Sequence, residues 1–555
     1  MYIENINSPK DIKELSVEQL SVLAEEVRTA LIRKLSEHGG HIGPNLGMVE
    51  TTIALHYVFN SPIDKIVFDV SHQSYVHKML TGRMAAFLDP AKYDDVTGYT
   101  NPDESEHDFF TIGHTSTSVS LAMGLAKGRD LTGGKENIIA VIGDGSLSGG
   151  EALEGLNNAA MLGSNMIIIV NDNDQSIAEN HGGLYKGLKE LRDTNGESPD
   201  NIFKAMGLEY YYLGDGHDVS ALIKLFTSVK DIDRAVVLHI HTIKGKGLKY
   251  AEENKEYWHA GGPFHIEDGS PKGPGWPVNE TVRESVLDLI EKRSDVVAIT
   301  AGTPSVIGFT EDYRKRAGKQ FVDVGIAEEH AVAMASGIAR NGGTPIFGVF
   351  SPFLQRTYDQ LSSDLCLNNN PAVIMVFMAS VYGMNSNTHL GIYDIPMISH
   401  IPNLVYLAPT SKEEYLAMFK YATTQKAHPI AIRIPMMMPE TGIEDTTDYS
   451  LLNKYQVVRK GSGVAIIALG DFFELGVQIA DKYKILTGND VTLINPKFIT
   501  GIDEELLECL KTDHELVLTL EDGIVEGGFG QTIASFYGLS DMKVKNYGIK
   551  KSFPT

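Results

Sequence analysis

Residues 138–146 read IIAVIGDGS and residues 166–173 read MIIIVNDN. Each opens with an apolar run long enough for one buried strand and too short for a buried helix. Between them, residues 148–162 form a small-residue stretch that suits a helix. Strand, helix and strand over about thirty residues is the repeat unit of a parallel sheet. Asp144 and Asn173 then fall at the carboxyl ends of two successive parallel strands, 29 residues apart. That edge is where open α/β sheets bind ligands. A carboxylate and a carboxamide oxygen are hard donors suited to Mg²⁺, and two of them are too few to fill an octahedron. A diphosphate would supply the missing oxygens, and Gly143 and Gly145 would let the backbone approach it closely. The Lys-Ser/Thr ending of a mononucleotide phosphate loop is missing. Gly-Asp-Gly alone also suits a plain strand-to-helix turn, so the spaced Asn gives the pattern its chemical content.

Outward from this core the same alternation continues. Further strands are predicted at 66–70 (IVFDV) and 236–240 (VVLHI). A helix is predicted from a Ser16/Gln19 capping box, with Leu20, Leu23, Val27, Leu31 and Leu35 at helical spacing and a stop at Gly39-Gly40. Residues 261–277, GGPFHIEDGSPKGPGWP, read as a linker. A second alternating region spans about 280–440, and a third holds strands near 464–469 and 516–520. The expectation is α/β with three consecutive doubly wound domains: 1–260, a linker at 261–279, 280–440 and 455–555.

Composition narrows the function classes. The 555 residues, 43% hydrophobic and 22% charged, are those of an ordinary globular protein. Lys plus Arg number 48 against 72 Asp plus Glu, a net charge of −24. Such a surface repels phosphate backbones and anionic lipid, so neither nucleic acid nor membrane is expected as a partner. Any anionic ligand must be held by a local pocket. Cys366 and Cys509 make no disulfide framework and lack metal-ligand spacing. No secretory signal and no apolar run near twenty residues is read, so the expectation is a soluble, cytoplasmic protein.

Gly-Asp-Gly followed some 28 residues later by Asn resembles the thiamine-diphosphate motif of the transketolase superfamily. Phe68-Asp-Val-Ser-His72-Gln-Ser-Tyr-Val-His77-Lys-Met-Leu-Thr-Gly-Arg83 resembles the matching segment of 1-deoxy-D-xylulose-5-phosphate synthases. So do Gly113-His114-Thr115-Ser116-Thr117-Ser118, Asp323-Val-Gly-Ile-Ala-Glu328-Glu-His330 and Phe353-Leu-Gln-Arg356-Thr-Tyr-Asp-Gln360. The likeness runs collinearly from residue 15 to the C-terminus. It implies two thiamine-diphosphate-binding domains, a transketolase-type C-terminal domain and a homodimer. It also implies thiamine diphosphate and Mg²⁺ as cofactors, the metal held by Asp144, Asn173 and the backbone carbonyl of Gln175. His72, Gly113, His114, Thr115, Gly145 and Ser146 would contact the cofactor's diphosphate and thiazolium ends. Lys244 would run along the cofactor, Ile177 would wedge under it, and Phe353 would stack on its aminopyrimidine. Glu328 would bond the pyrimidine nitrogen and promote removal of the thiazolium C2 proton. His41, His259 and His389 would line the reaction chamber and shuttle protons.

The resemblance breaks where the family grips its acceptor's phosphate. The family's Asp-Arg-Ala-Gly reads Phe377-Met378-Ala379-Ser380 here, and its Arg-Tyr-Pro-Arg-Gly reads Arg433-Ile434-Pro435-Met436-Met437. A family Tyr is Phe350, a family Asp is Asn385, and a Tyr after Lys-Gly-x-Gly is Leu248. Losing charge-assisted hydrogen bonds costs about 1.5–3 kcal/mol each, so a pocket with Met378 and Met436 points to a different acceptor. The leading expectation is a carboligase that decarboxylates pyruvate or another 2-oxo acid and adds the enamine to a carbonyl acceptor lacking the usual phosphate contact. Three alternatives stay open. One is the ordinary synthase, joining pyruvate to glyceraldehyde 3-phosphate, with phosphate on Arg356 or Arg433. The second is transketolase-type ketol transfer, and the third is a degenerate cofactor-binding protein.

Overall fold

The computed structural model describes residues 2–273, 280–382 and 386–554. They fall into two compact units, Met1–Pro277 with Gly325–Ala327, and Val278–Val324 with Glu328–Thr555. Each is described by itself.

After the short helical segments Ile3–Asn5 and Pro9–Lys13, the first unit runs into the helix Val17–His38. Ser16 Oγ accepts from Gln19 N–H, Gln19 Oε1 accepts from Ser16 N–H, and Gly39 ends the helix at φ 81°. The strands are β1 (Gly40–His41), β2 (Lys65–Phe68), β3 (Ile138–Gly143), β4 (Met166–Asp172), β5 (Glu209–Leu213), β6 (Ala235–His241) and β7 (Ala260–Gly261). β2 to β6 form one parallel sheet in the order β2-β3-β4-β6-β5. Side chains alternate across it. Ile138, Ala140 and Ile168 pack with Val119, Ala122 and Leu156, while Ile139, Val141 and Ile167 pack with Leu55, Leu222 and Phe226. Helices therefore cover both faces, which is why β3 and β4 read as unbroken apolar runs. The described part of the Gly/Pro-rich stretch folds onto this unit. Phe264 is buried edge-on against Trp258, and its N–H donates to Ser36 O at 3.0 Å.

The second unit holds two more sheets. One comprises β8 (Val296–Thr300), β9 (Phe321–Asp323), β10 (Thr344–Phe350), β11 (Val373–Phe377), β12 (Val405–Leu407) and β13 (Ile430–Arg433). It is parallel throughout, in the order β12-β13-β11-β10-β8-β9. The other comprises β14 (Gln456–Arg459), β15 (Gly463–Ala468), β16 (Thr492–Asn495), β17 (His514–Ile524) and β18 (Lys543–Ile549), ordered β14-β16-β15-β17-β18. Only β14 runs antiparallel there. Ile395 and Tyr406 share an apolar core with Val517 and Phe529, so the two sheets pack as one body. The chain is α/β: among the described residues three largely parallel sheets carry the fold, with β1 and β7 forming a small antiparallel pair. Among the described residues no helix is long and apolar enough to cross a membrane.

Candidate active site

In the first unit, the parallel register pairs Gly143 with Asn171, so Asp144 and Asn173 emerge side by side past β3 and β4. Asp144 N–H donates to Asn171 O at 3.1 Å. Asp144 Oδ2 accepts from Gln175 N–H at 3.1 Å and from Asn180 Nδ2 at 2.6 Å. Burial, with Asp172 nearby, pushes the Asp144 carboxyl up to about 7. Asn173 Oδ1 is buried with no hydrogen-bond partner among the described residues. Gly145 has no room for a side chain, since a Cβ would lie 2.8 Å from Ser176 Oγ. Lys244 Nζ donates to Ser176 O, and burial lowers its ammonium to about 7, opposed by Asp144. Ile177 is half-buried, its carbonyl accepting from Gln175 Nε2 at 3.3 Å. The Gly113-His114-Thr115 loop is anchored at its far end by buried Asp69, which accepts from Ser116 N–H at 2.8 Å and Ser118 N–H at 2.9 Å. Ser116 Oγ then reaches Ser146 O at 2.8 Å, tying that loop to the Gly-Asp-Gly turn.

Three histidines gather beside this group. β1 pairs antiparallel with β7, His41 opposite Ala260, which brings His41 to His259. A Cβ on Gly39 would lie 2.6 Å from Gly261 O, so only glycine lets the strands meet this closely. The His41 and His72 rings are 5.0 Å apart, His72 and His259 5.3 Å, and His41 and His259 5.9 Å. Burial, with Lys244 adding to it, lowers His41 to about 4 and holds His259 well below the usual imidazole range. Both rings are therefore neutral at pH 7 and able to accept a proton or a hydrogen bond. Asn45, unflagged by the sequence pattern, fixes the cluster. Its Nδ2 lies 2.8 Å from both His41 O and His72 O, and its Oδ1 accepts from Tyr75 N–H at 2.9 Å. Asn45→Ala removes hydrogen bonds to three backbone groups, one buried and two part-buried, and is expected to cost about 1–3 kcal/mol, read as a lower midpoint in thermal unfolding.

In the second unit, Glu328 opens the helix Glu328–Arg340 and is 4% exposed. Its Oε2 has no hydrogen bond among the described residues, and the Arg356 guanidinium stands 3.8 Å away. Burial pushes its carboxyl up to about 7, with Arg356 opposing. Phe353 lies edge-on to His389 at 5.6 Å and to Phe350 at 6.0 Å. His389 is buried, with Thr388 Oγ1 2.9 Å from Nδ1. Met378 and Met436 are half-buried, and Met436 N–H donates to Asp471 Oδ2 at 3.1 Å. Asn385 lies outside the described residues. Arg433, considered as a phosphate holder, is 3% exposed, with Nε 2.8 Å from Asp394 Oδ2 and Nη1 bonded to Asp522 Oδ1. Two carboxylates already neutralise it, and its buried Nη2 has no hydrogen bond among the described residues.

Family models match most of the chain: "1-deoxy-D-xylulose-5-phosphate synthase" over residues 3–198 and 193–242, "Transketolase, pyrimidine binding domain" over 277–439, and "Transketolase, C-terminal domain" over 453–551. Among curated relatives, the 1-deoxy-D-xylulose-5-phosphate synthase of Carboxydothermus hydrogenoformans is 37% identical, covering 100% of this chain and 94% of its own. That of Clostridium beijerinckii is 37% identical over 99% and 95%, and that of Lachnoclostridium phytofermentans 38% over 96% and 91%. The chain belongs to the 1-deoxy-D-xylulose-5-phosphate synthase family. Members are thiamine-diphosphate-dependent transferases of the transketolase superfamily and use Mg²⁺.

The residues present fit those cofactors. Among the described residues no group of three or more His, Cys, Asp or Glu is placed to hold a metal. An Asp–Asn pair that needs ligand oxygens to complete an octahedron agrees with that. The unbonded Asn173 Oδ1 and the raised Asp144 carboxyl are groups that a divalent cation would satisfy, returning Asp144 to the carboxylate. The unbonded Glu328 Oε2 fits a ring nitrogen in the same way. Gln175 enters through its N–H to Asp144. Asn180, the second donor to Asp144, carried no signal in the sequence beyond its place in the loop after Asn173.

Proposed function

We propose that this chain joins pyruvate to glyceraldehyde 3-phosphate with loss of CO2, the reaction of 1-deoxy-D-xylulose-5-phosphate synthases. The observation that carries this reading is the match to that family along the whole chain. Thiamine diphosphate, when bound, supplies the carbon nucleophile that attacks the 2-oxo acid and holds the electrons released with CO2. Asp144, Asn173 and the Gln175 carbonyl would hold Mg²⁺. Gly113, His114, Thr115, Gly145, Ser146, His72 and Lys244 would line the diphosphate and thiazolium ends, and Ile177 would support the bend. Phe353 would lie on the pyrimidine ring. Glu328 would keep a proton on Oε2 near neutral pH, which its burial favours. His41, His259 and His389 would move protons to and from substrate oxygens, His41 and His259 as neutral rings. A cytoplasmic homodimer completes the reading. Light scattering at 60.7 kDa rather than twice that mass would remove the dimer.

A second reading, an acceptor not gripped by phosphate, is favoured by Arg433 being neutralised by Asp394 and Asp522 and by Met378 and Met436 standing in the altered motifs. One experiment separates the two. Purified protein is given thiamine diphosphate, Mg²⁺ and pyruvate, and CO2 is followed with and without glyceraldehyde 3-phosphate. The first reading expects at least about a tenfold rise on adding the aldehyde, with deoxyxylulose phosphate in the mass spectrum. CO2 release indifferent to that aldehyde moves the case to the second reading. No CO2 from pyruvate sinks the first reading and sends the second to other 2-oxo acids and to ketose donors.

A further inference from the structure

The segment carrying Asn173 is held from outside by one arginine. The helix Gly183–Asp193 delivers Arg192, whose Nη1 lies 2.6 Å from Asp172 Oδ2 and whose Nη2 lies 2.6 Å from Asp174 Oδ1. These carboxylates flank Asn173 in sequence, so one planar guanidinium spans the residue between them. Asp172 is fully buried and also receives His239 Nε2 at 2.8 Å, while His239 Nδ1 meets the Tyr210 hydroxyl at 2.9 Å. Asp172 Oδ1 accepts the Asp174 N–H at 3.0 Å, and Asp174 sits at φ 60°. A non-glycine residue in that region stays there only when its surroundings hold it. Lys255 Nζ adds a bond to Asn173 O at 3.1 Å. The backbone and both neighbours of Asn173 are thus tied down, and its own Oδ1 is the atom left without a hydrogen bond among the described residues.

We propose that Arg192 is a positioning residue for the metal: bridging Asp172 and Asp174, it fixes the segment that presents Asn173 Oδ1 to Mg²⁺. The inference rests on Asp144 and Asn173 being the metal pair. Two effects of removing the guanidinium oppose each other. Asp172 and Asp174 would lose their neutralising charge, which by Coulomb attraction alone tightens a divalent cation. The segment would also lose its brace, and groups that orient metal ligands are worth about 10–100-fold in metal affinity. Positioning therefore predicts weaker binding, and charge alone predicts stronger binding.

The test titrates Mn²⁺ into the full chain with thiamine diphosphate present, reading free Mn²⁺ by electron paramagnetic resonance. Arg192→Gln is expected to raise the Mn²⁺ Kd at least about tenfold. Arg192→Lys should fall between it and the parent, because an ammonium cannot bridge both carboxylates. Asp174→Asn removes one arm at a side chain 57% exposed, and should raise Kd by a few-fold with little change in melting. In CO2 release, the Mg²⁺ needed for half-maximal rate should rise while kcat at saturating Mg²⁺ recovers. A merely structural role would lower melting and leave Kd in place. Folded variants with unchanged or tighter Mn²⁺ binding overturn the inference, and Arg192→Lys, which keeps the charge and loses the bridge, decides if Arg192→Gln does not fold. A parent protein that binds no Mn²⁺ with thiamine diphosphate would instead remove the metal pair itself.

Discussion

Glu328→Gln is expected to slow CO2 release from pyruvate by about 10²–10⁴-fold, the range of a positioned proton donor or acceptor. Gln keeps the shape and one N–H donor at this place but can neither release nor take up a proton at Oε2. The same substitution has a second consequence that needs no substrate. Burial raises the Glu328 carboxyl from 4.5 to about 7 in the folded chain. At pH below 4.5 folded and unfolded states both carry the proton, and the position costs nothing. Between pH 4.5 and 7 the unfolded chain ionises while the folded one resists, so stability falls as pH rises. Above pH 7 the full penalty is present, about 3 kcal/mol for a shift of this size. The amide that replaces the carboxyl is not ionised in either state. Without added cofactor, the variant should therefore melt above the parent at pH 8.5 and close to it at pH 4.5. A rate loss below tenfold would remove Glu328 from the chemistry. A melting difference that ignores pH would show that the carboxyl is not held neutral by burial.

The features legible in the sequence were those written within one crossover unit. Apolar runs at 138–142 and 166–170 become β3 and β4, and the Ser16–Gln19 box opens the helix Val17–His38. The Asp144–Asn173 spacing places both residues past adjacent strand ends because the parallel register allows little else. The unread features depend on residues distant in sequence. Nothing near Asn45 announces that it bonds both His41 O and His72 O, and nothing near Arg192 announces Asp172. The edge strand β5, Glu209–Leu213, carries three tyrosines in a row and lacks the apolar run that marked its neighbours. Phe264 sits in a Gly/Pro-rich stretch that reads as a linker, yet it is buried, because an aromatic ring beside Trp258 outweighs the turn-forming residues around it. Arg433 was legible as an arginine and not as a neutralised one. Asp394 and Asp522 lie 39 and 89 residues away in sequence, and only the packing of the two sheets brings them to it.

Arg433→Met is expected to destabilise the chain by about 3–5 kcal/mol, the cost of leaving buried carboxylates without their cation. Asp394 and Asp522 side chains are both fully buried, and Arg433 Nε and Nη1 each meet one of them. The Tyr406 hydroxyl, 2.5 Å from Asp394 Oδ2, supplies a hydrogen bond but no charge. Methionine would fill much of the volume, so the loss is electrostatic rather than a cavity. In thermal unfolding the midpoint of that unit should drop by roughly 5–9 °C. Converting the carboxylates as well, in Arg433→Met with Asp394→Asn and Asp522→Asn, should recover part of that loss, because it removes the unpaired charges and leaves neutral amides. A drop under about 1 kcal/mol would show that the cluster takes up protons or water instead. The same variants separate stability from substrate binding. If Arg433 serves only the packing between the two sheets, the triple variant should keep the parent's KM for glyceraldehyde 3-phosphate. A phosphate held by Arg433 would instead raise that KM by at least about tenfold, at unchanged KM for pyruvate, since a charge-assisted contact is worth about 1.5–3 kcal/mol. The position of Arg433 between two carboxylates favours the first result, and with it a pocket whose acceptor must be recognised by other groups.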